Sequence, residues 1–200
     1  PVTATYHCDV QLPPGFLNRV VDAAVFLDNL VAGCLVDRMV AYTDDYANFS
    51  RVLGRFRSKR TVIPPPIQVA DCTEEDVAAF RTRYSCDGET IIGFPARFAT
   101  EKGVEYLLNA LPLIAQRVPS VRILFAGDYQ SVIGEDAYWK RLQPLLDCFK
   151  SQWTFLGILD PPRMAAFYRA CDVTVLPSIN RTESFGLVQV ESMLCGTPVV

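Results

Sequence analysis

Two stretches of this chain put charged residues at spacings that suit phosphate and sugar chemistry. Arg97, Glu101, Lys102 and Gly103 follow an apolar run, 90–94. A guanidinium offers a fork of donors and an ammonium a point charge, so Arg97 and Lys102 could together hold a diphosphate. The same residues could equally be surface charges on a solvated loop. Further on, PSINRTESFGL leads from the apolar run 173–176 into a helix expected over 185–194. The amides of Phe185, Gly186 and Leu187 would then face out of a helix N-terminus, a ready anion site, with Gly186 allowing close approach to the backbone. Glu183 stands just before that helix and Glu191 two turns into it. Carboxylates there could accept bonds from neighbouring sugar hydroxyls. The plainer alternative is that Glu183 complements the helix dipole and Glu191 is solvated.

His7, the single histidine, closes the first apolar run and is either a structural hydrogen-bonding residue or a catalytic one. Arg51, Arg55, Arg57, Lys59 and Arg60 form the one basic cluster, read as a solvated helix end or a patch for anionic lipid. Asp44 and Asp45 read as a helix start rather than a metal site. Neither G-x-G-x-x-G, nor G-x-x-x-x-G-K-[ST], nor G-x-S-x-G occurs, which excludes the classical dinucleotide fingerprint, the P-loop and the hydrolase elbow.

The elements that must position these residues follow from periodicity. Strands are expected at 2–6, 39–42, 61–63, 90–94, 121–126, 153–156 and 173–176. Helices are expected at 16–35, 44–53, 73–84, 137–149, 161–171 and 185–194, the fifth capped by Asp160 with Met164, Phe167, Tyr168 and Cys171 along one face. Val104, Leu107, Leu108, Leu111 and Ala115 recur at the spacing of another, bent at Pro112, and Leu12-Pro13-Pro14-Gly15 is a turn. Short apolar strands alternating with helices specify a parallel sheet covered on both faces, in which ligands bind beyond the carboxyl ends of the strands. Pro64-Pro65-Pro66 stiffens the chain as a linker and marks a domain boundary.

The chain has 200 residues, half of them hydrophobic and a fifth charged, with a net charge of -3. That composition excludes a disordered chain and a nucleic-acid binder working by bulk positive charge. Seven cysteines, an odd number with no C-x-x-C, argue against a disulfide framework or zinc cluster and for reduced thiols in a cytosol. The most apolar stretch, 20–36, is broken by Asp22, Asp28 and Asn29, so it reads as a buried or surface-associated helix rather than a membrane span. A start at Pro1 and an end at Val199-Val200 suggest an internal piece of a longer protein.

ARFATEKGVEYLLNAL, FLGILDPPRMAAFYRACDVTVLPS and ESFGLVQVESMLCGTPVV, together with ATYHCD and VIPPP, resemble in order and spacing glycosyltransferase family 4, the retaining nucleotide-sugar transferases of GT-B fold. The resemblance implies an α/β protein with two Rossmann-like domains, both incomplete in this stretch. Residues 1–66 would be the end of an N-terminal, acceptor-side domain with its linker. Residues 67–200 would be a truncated C-terminal, nucleotide-sugar-binding domain. It implies that Arg97 and Lys102 bind the donor diphosphate, Glu191 the ribose hydroxyls and Glu183 the transferred sugar. Phe185, Gly186 and Leu187 would offer amides to sugar and phosphate, His7 would face the transferred sugar, and Ile158 would lie near the base. Ala96 stands where the family usually has Gly.

The implied reaction moves a hexose-type sugar from a nucleotide-diphosphate donor to the hydroxyl of a sugar, lipid-linked or small-molecule acceptor. It would serve polysaccharide, glycolipid or glycoconjugate synthesis, with no cofactor or metal and no nucleic-acid partner. The implied location is cytoplasmic, with peripheral association at the inner face of a membrane left open. A glycoside hydrolase using Glu183 and Glu191 would leave Arg97 and Lys102 unexplained. A GT-B epimerase or phosphorylase, and an inert sugar-nucleotide-binding subunit, are the remaining alternatives.

Overall fold

The structure is a computed structural model that describes every residue except 11, 13, 14, 85–87, 181 and 182. Pro13 and Pro14 of the expected turn thus lie outside the described residues. The chain divides into two compact units, Pro1–Pro66 with Arg181–Gly186, and Ile67–Asn180 with Leu187–Val200.

In the first unit, strands β1 (Thr3–Thr5), β2 (Arg38–Ala41) and β3 (Arg60–Val62) pair in parallel in that order. Helix α1 (Phe16–Leu35) connects β1 to β2. It matches the length read from its pattern but buries only Gly33 and leaves Phe16, Leu17, Leu27 and Leu35 exposed. No helix among the described residues is long and apolar enough to cross a membrane. Helix α2 (Asp44–Phe49) is capped by Thr43, whose hydroxyl accepts the Tyr46 amide. The helix was expected to reach Leu53 but stops at Ser50, and a separate short turn follows at Leu53–Arg55. The reason is Asp9. Its buried carboxylate accepts from the Ser50 hydroxyl at 2.9 Å and the Arg51 amide at 3.1 Å, drawing the chain out of helical geometry.

In the second unit all four strands are parallel: β4 (Thr90–Pro95), β5 (Val121–Ala126), β6 (Trp153–Gly157) and β7 (Val173–Thr174), in the order β6-β5-β4-β7. The chain builds outward from β4 through β5 to β6, then returns to place β7 on the other side of β4. That reversal is a topological switch point, where the carboxyl ends of neighbouring strands diverge and leave a crevice. Alternation along the strands feeds two cores. Phe94, Ile123 and Phe125 pack under helices α4 (Val104–Arg117) and α5 (Asp136–Cys148). Ile91, Leu124 and Ala126 pack on the opposite face, under α3 (Glu74–Tyr84) and α6 (Pro161–Ala170).

The helix starts follow from local chemistry. The Thr73 hydroxyl accepts the Asp76 amide at 3.2 Å, while the Thr73 amide and hydroxyl donate to the Asp76 carboxylate, holding that carboxyl below its usual range. Asp160 accepts from the Arg163 amide, with Pro161 at the first helical position. Pro112 and Pro144 lie inside α4 and α5 without ending them.

Candidate functional site

The carboxyl edge of the second sheet is stitched together loop to loop. After β4, the Phe98 amide donates to the Asp128 carbonyl in the loop after β5, at 2.7 Å. The Gly127 amide in turn donates to the Gly157 carbonyl at the end of β6, at 2.9 Å. A side chain at Gly127, where φ is 148°, would place its Cβ 2.0 Å from the Ala96 carbonyl oxygen. A side chain at Gly103, where φ is 66°, would come within 2.2 Å of the Pro177 carbonyl oxygen in the loop after β7. The Ser178 hydroxyl crosses the same gap to donate to the Glu101 carbonyl at 2.9 Å. The segment carrying Arg97 and Lys102 is therefore fixed against the loop that follows β7, at the switch point. Arg97 pairs with Glu101 at 3.0 Å with its side chain 64% exposed, so the guanidinium is held at the sheet edge and open to solvent.

Helix α7 spans Leu187–Leu194. It starts two residues later than expected, because Gly186 adopts φ 80°, outside the helical region. The free amides of its first turn therefore begin at Leu187 rather than Phe185. Glu191 is not a solvated helix residue: the Tyr168 hydroxyl donates to its carboxylate at 2.8 Å. Tyr168 is buried on α6, and burial followed by the bond to Glu191 pushes its phenol far above the usual value. Both residues line a cavity of about 240 Å³ with Gln68, Val69, Leu159 and Met164. Ile158, beside Leu159, is 78% exposed.

In the first unit His7 is exposed, and its Nδ1 lies 2.7 Å from the Tyr42 hydroxyl. Tyr42 packs edge-on against Phe185, ring centroids 6.3 Å apart, and the Thr43 hydroxyl donates to the Ser184 carbonyl. Phe185 and Gly186 group with this unit, and Leu187 and Glu191 with the other. Glu183 lies in the segment just before Ser184. The basic cluster is mostly structural. Lys59 Nζ donates to the carbonyls of Gly33, Cys34 and Val36 at the end of α1, and Arg60 donates to Ala47 and Asn48. Arg51 pairs with Asp22, and the guanidiniums of Arg51 and Arg55 lie over the Phe26 ring at 4.9 and 4.8 Å.

The sequence reading did not single out Ser178, Tyr42 or Asp9, and read Tyr168 only as one residue of an apolar helix face. A tyrosine on such a face does carry a signal, because its hydroxyl must find a partner once the ring is buried.

The family model for glycosyl transferases group 1 matches residues 89–200. A D-inositol 3-phosphate glycosyltransferase from Segniliparus rotundus is 33% identical over 216 residues, covering 100% of this chain and 45% of that protein. The crystal structure of Anabaena Alr3699/HepE in complex with UDP and glucose superposes with a TM-score of 0.76 at 23% identity, over 100% of this chain and 52% of that one. Sucrose-phosphate synthase from Thermosynechococcus elongatus superposes with a TM-score of 0.73 at 25% identity, over 98% of this chain and 49% of that one. The chain thus spans about half the length of the proteins it matches, and less than half of the curated relative. The GT-B, α/β fold expected from the sequence is the fold of these neighbours.

Proposed function

Because the chain belongs to the glycosyl transferases group 1 family, we propose that it binds a nucleoside-diphosphate sugar and transfers the sugar to an acceptor hydroxyl. The observation that carries this reading is the locked switch point, where Gly103 against Pro177 and Ser178 on Glu101 fix the Arg97–Lys102 loop beside the loop after β7. The breaking sugar–phosphate bond gathers negative charge on the diphosphate. Preorganised cations at Arg97 and Lys102, with the first amides of α7, lower the energy of that state more than of the ground state. Glu191 holds the ribose hydroxyls, Ile158 meets the base through its backbone, and Glu183 accepts from hydroxyls of the transferred sugar. Phe185 and Gly186 offer amides to that sugar, and His7 donates to it.

The reaction is the retaining, family 4 type. The acceptor attacks on the face the diphosphate leaves, and a leaving phosphate oxygen takes the acceptor proton. Residues 67–200 form the donor half and 1–66 the acceptor side with its linker. The transferred group is a hexose, and the acceptor is a hydroxyl of a sugar, a polyol or a lipid-linked glycan in envelope polysaccharide or glycolipid synthesis on the cytoplasmic side. The name of the Segniliparus relative supports a polyol-type acceptor, and the UDP in the Anabaena structure supports a nucleotide donor.

The test is a donor screen on the full-length polypeptide, with UDP-glucose, UDP-N-acetylglucosamine and GDP-mannose, following nucleotide release and sugar transfer. Transfer from one of them, reduced about 100-fold or more by Arg97→Ala, is expected. Nucleotide binding without turnover would favour the inert binding subunit, and absence of binding would overturn the reading.

A further inference from the structure

We propose that Tyr168 is a positioning residue that sets the affinity of this site for ribonucleotides, by fixing the carboxylate of Glu191 for the two ribose hydroxyls. The proposal rests on the donor-site reading of Glu191. Glu191 stands on α7 and Tyr168 on α6, so their hydrogen bond joins two helices across one wall of a cavity that both residues line. A free glutamate side chain samples several rotamers, and the entropy lost in ordering it is charged against ligand binding. Here one carboxylate oxygen already accepts from a hydroxyl whose ring is 1% exposed and cannot swing away. The other oxygen and the remaining lone pair stay available to a pair of neighbouring ligand hydroxyls.

The helices themselves are held in register by a second, buried set of bonds. The Thr197 hydroxyl donates to the Tyr168 carbonyl at 2.6 Å. The Ser192 hydroxyl donates to the Thr197 carbonyl at 3.1 Å and meets the Thr174 hydroxyl on β7 at 2.8 Å. Ser192, Thr174 and Thr197 are 0%, 1% and 4% exposed, so these hydroxyls are satisfied within the protein. Tyr168 is thus anchored through its main chain to the turn after α7 and through its hydroxyl to Glu191 within α7. Burial and the Glu191 bond keep the phenol protonated, so it remains a donor throughout the physiological range.

Replacing Tyr168 by Phe keeps the buried ring and removes only the donor. The experiment measures affinities of the full-length wild type, Tyr168→Phe, Glu191→Gln and the double variant for UDP, GDP and ADP and their 2′-deoxy counterparts by calorimetry. It also records thermal midpoints, and KM and kcat wherever a donor sugar turns over. Tyr168→Phe should raise Kd for the best ribonucleotide, and KM for its sugar, about five-fold, with kcat within two-fold, because a ribose contact is shared by ground and transition states. The same variant should cost the 2′-deoxynucleotide, which keeps one of the two hydroxyls, less affinity than it costs the ribonucleotide, and should add nothing on the Glu191→Gln background.

A tyrosine that merely stabilises the fold would lower the midpoint and shift ribo- and deoxynucleotide binding alike, which would overturn the proposal. Weakening by Glu191→Gln with none by Tyr168→Phe would overturn the positioning role while leaving the donor-site reading intact. Indifference of every nucleotide to Glu191→Gln would overturn both.

Discussion

Gly103→Ala tests whether the Arg97–Lys102 loop works only when it is seated against the loop after β7. The added methyl would lie 2.2 Å from the Pro177 carbonyl oxygen, where 3.0 Å is the least that a Cβ contact tolerates, so the two loops must part by about 0.8 Å. The left-handed backbone at φ 66° adds strain of roughly 1–2 kcal/mol for a residue with a Cβ. Overpacking adds about 1–3 kcal/mol, for a total near 2–5 kcal/mol. In a unit of this size that lowers the thermal midpoint by roughly 10 °C. A displacement approaching 1 Å at a positioning loop costs about 100-fold in turnover. Gly134→Ala is the matched control: φ is 83°, yet nothing lies within 4 Å of the new Cβ, so it carries the backbone strain without the clash. Thermal unfolding and nucleotide titration of both variants, with kcat/KM where a donor is in hand, give the answer. If Gly103→Ala binds nucleoside diphosphate as wild type does, or weakens it no more than Gly134→Ala, the loops are not a coupled phosphate seat.

Further outcomes follow from the same geometry. Asp9→Ala strands the Tyr6 and Ser50 hydroxyls and the Arg51 amide, and should destabilise the first unit by about 3 kcal/mol, read as faster hydrogen exchange at the β2 amides. The second unit contains both tryptophans, so its fluorescence-detected unfolding should be unchanged. Tyr6, Tyr46, Tyr138 and Tyr168 all have phenols raised chiefly by burial, Tyr46 to about 12. The unfolded chain ionises near pH 10, so the unfolded state loses protons first. Stability that is complete below pH 10 should decline above it, through about pH 12 for Tyr46. In an absorbance titration, those four of the eight tyrosines should ionise only as the protein unfolds. Thr197→Val removes the donor to the Tyr168 carbonyl and should lower the thermal midpoint while weakening nucleotide binding less than Glu191→Gln.

Most of the element pattern was legible because each element carries its own local signal. The limits of α1 and β5 match the apolar periodicity, and Asp160-Pro161 marks the start of α6 by capping chemistry alone. The misplaced limits are those decided by distant residues. Nothing near Ser50 announces that Asp9, forty-one positions earlier, ends α2. Gly186 could continue or break a helix, and its φ of 80° is set by its surroundings. The same division holds for the site. Charges after an apolar run make Arg97 and Lys102 candidates from sequence, whereas the switch point depends on β7 pairing with β4 instead of β6, a choice made by tertiary packing. Tyr168 was hidden for a related reason: an apolar helix face accounts for its ring, and only the fold shows where its hydroxyl goes.

The most direct test of the donor site is a crystal structure of the full-length protein soaked with the best-binding nucleoside diphosphate. The diphosphate is expected within about 3 Å of the Arg97 guanidinium, the Lys102 ammonium and the first amides of α7, with the ribose hydroxyls on Glu191. A separate cavity is lined by Phe98, Tyr129, Glu135 and Trp139. A nucleotide bound there, or anywhere out of reach of Arg97 and Lys102, would contradict the donor-site reading.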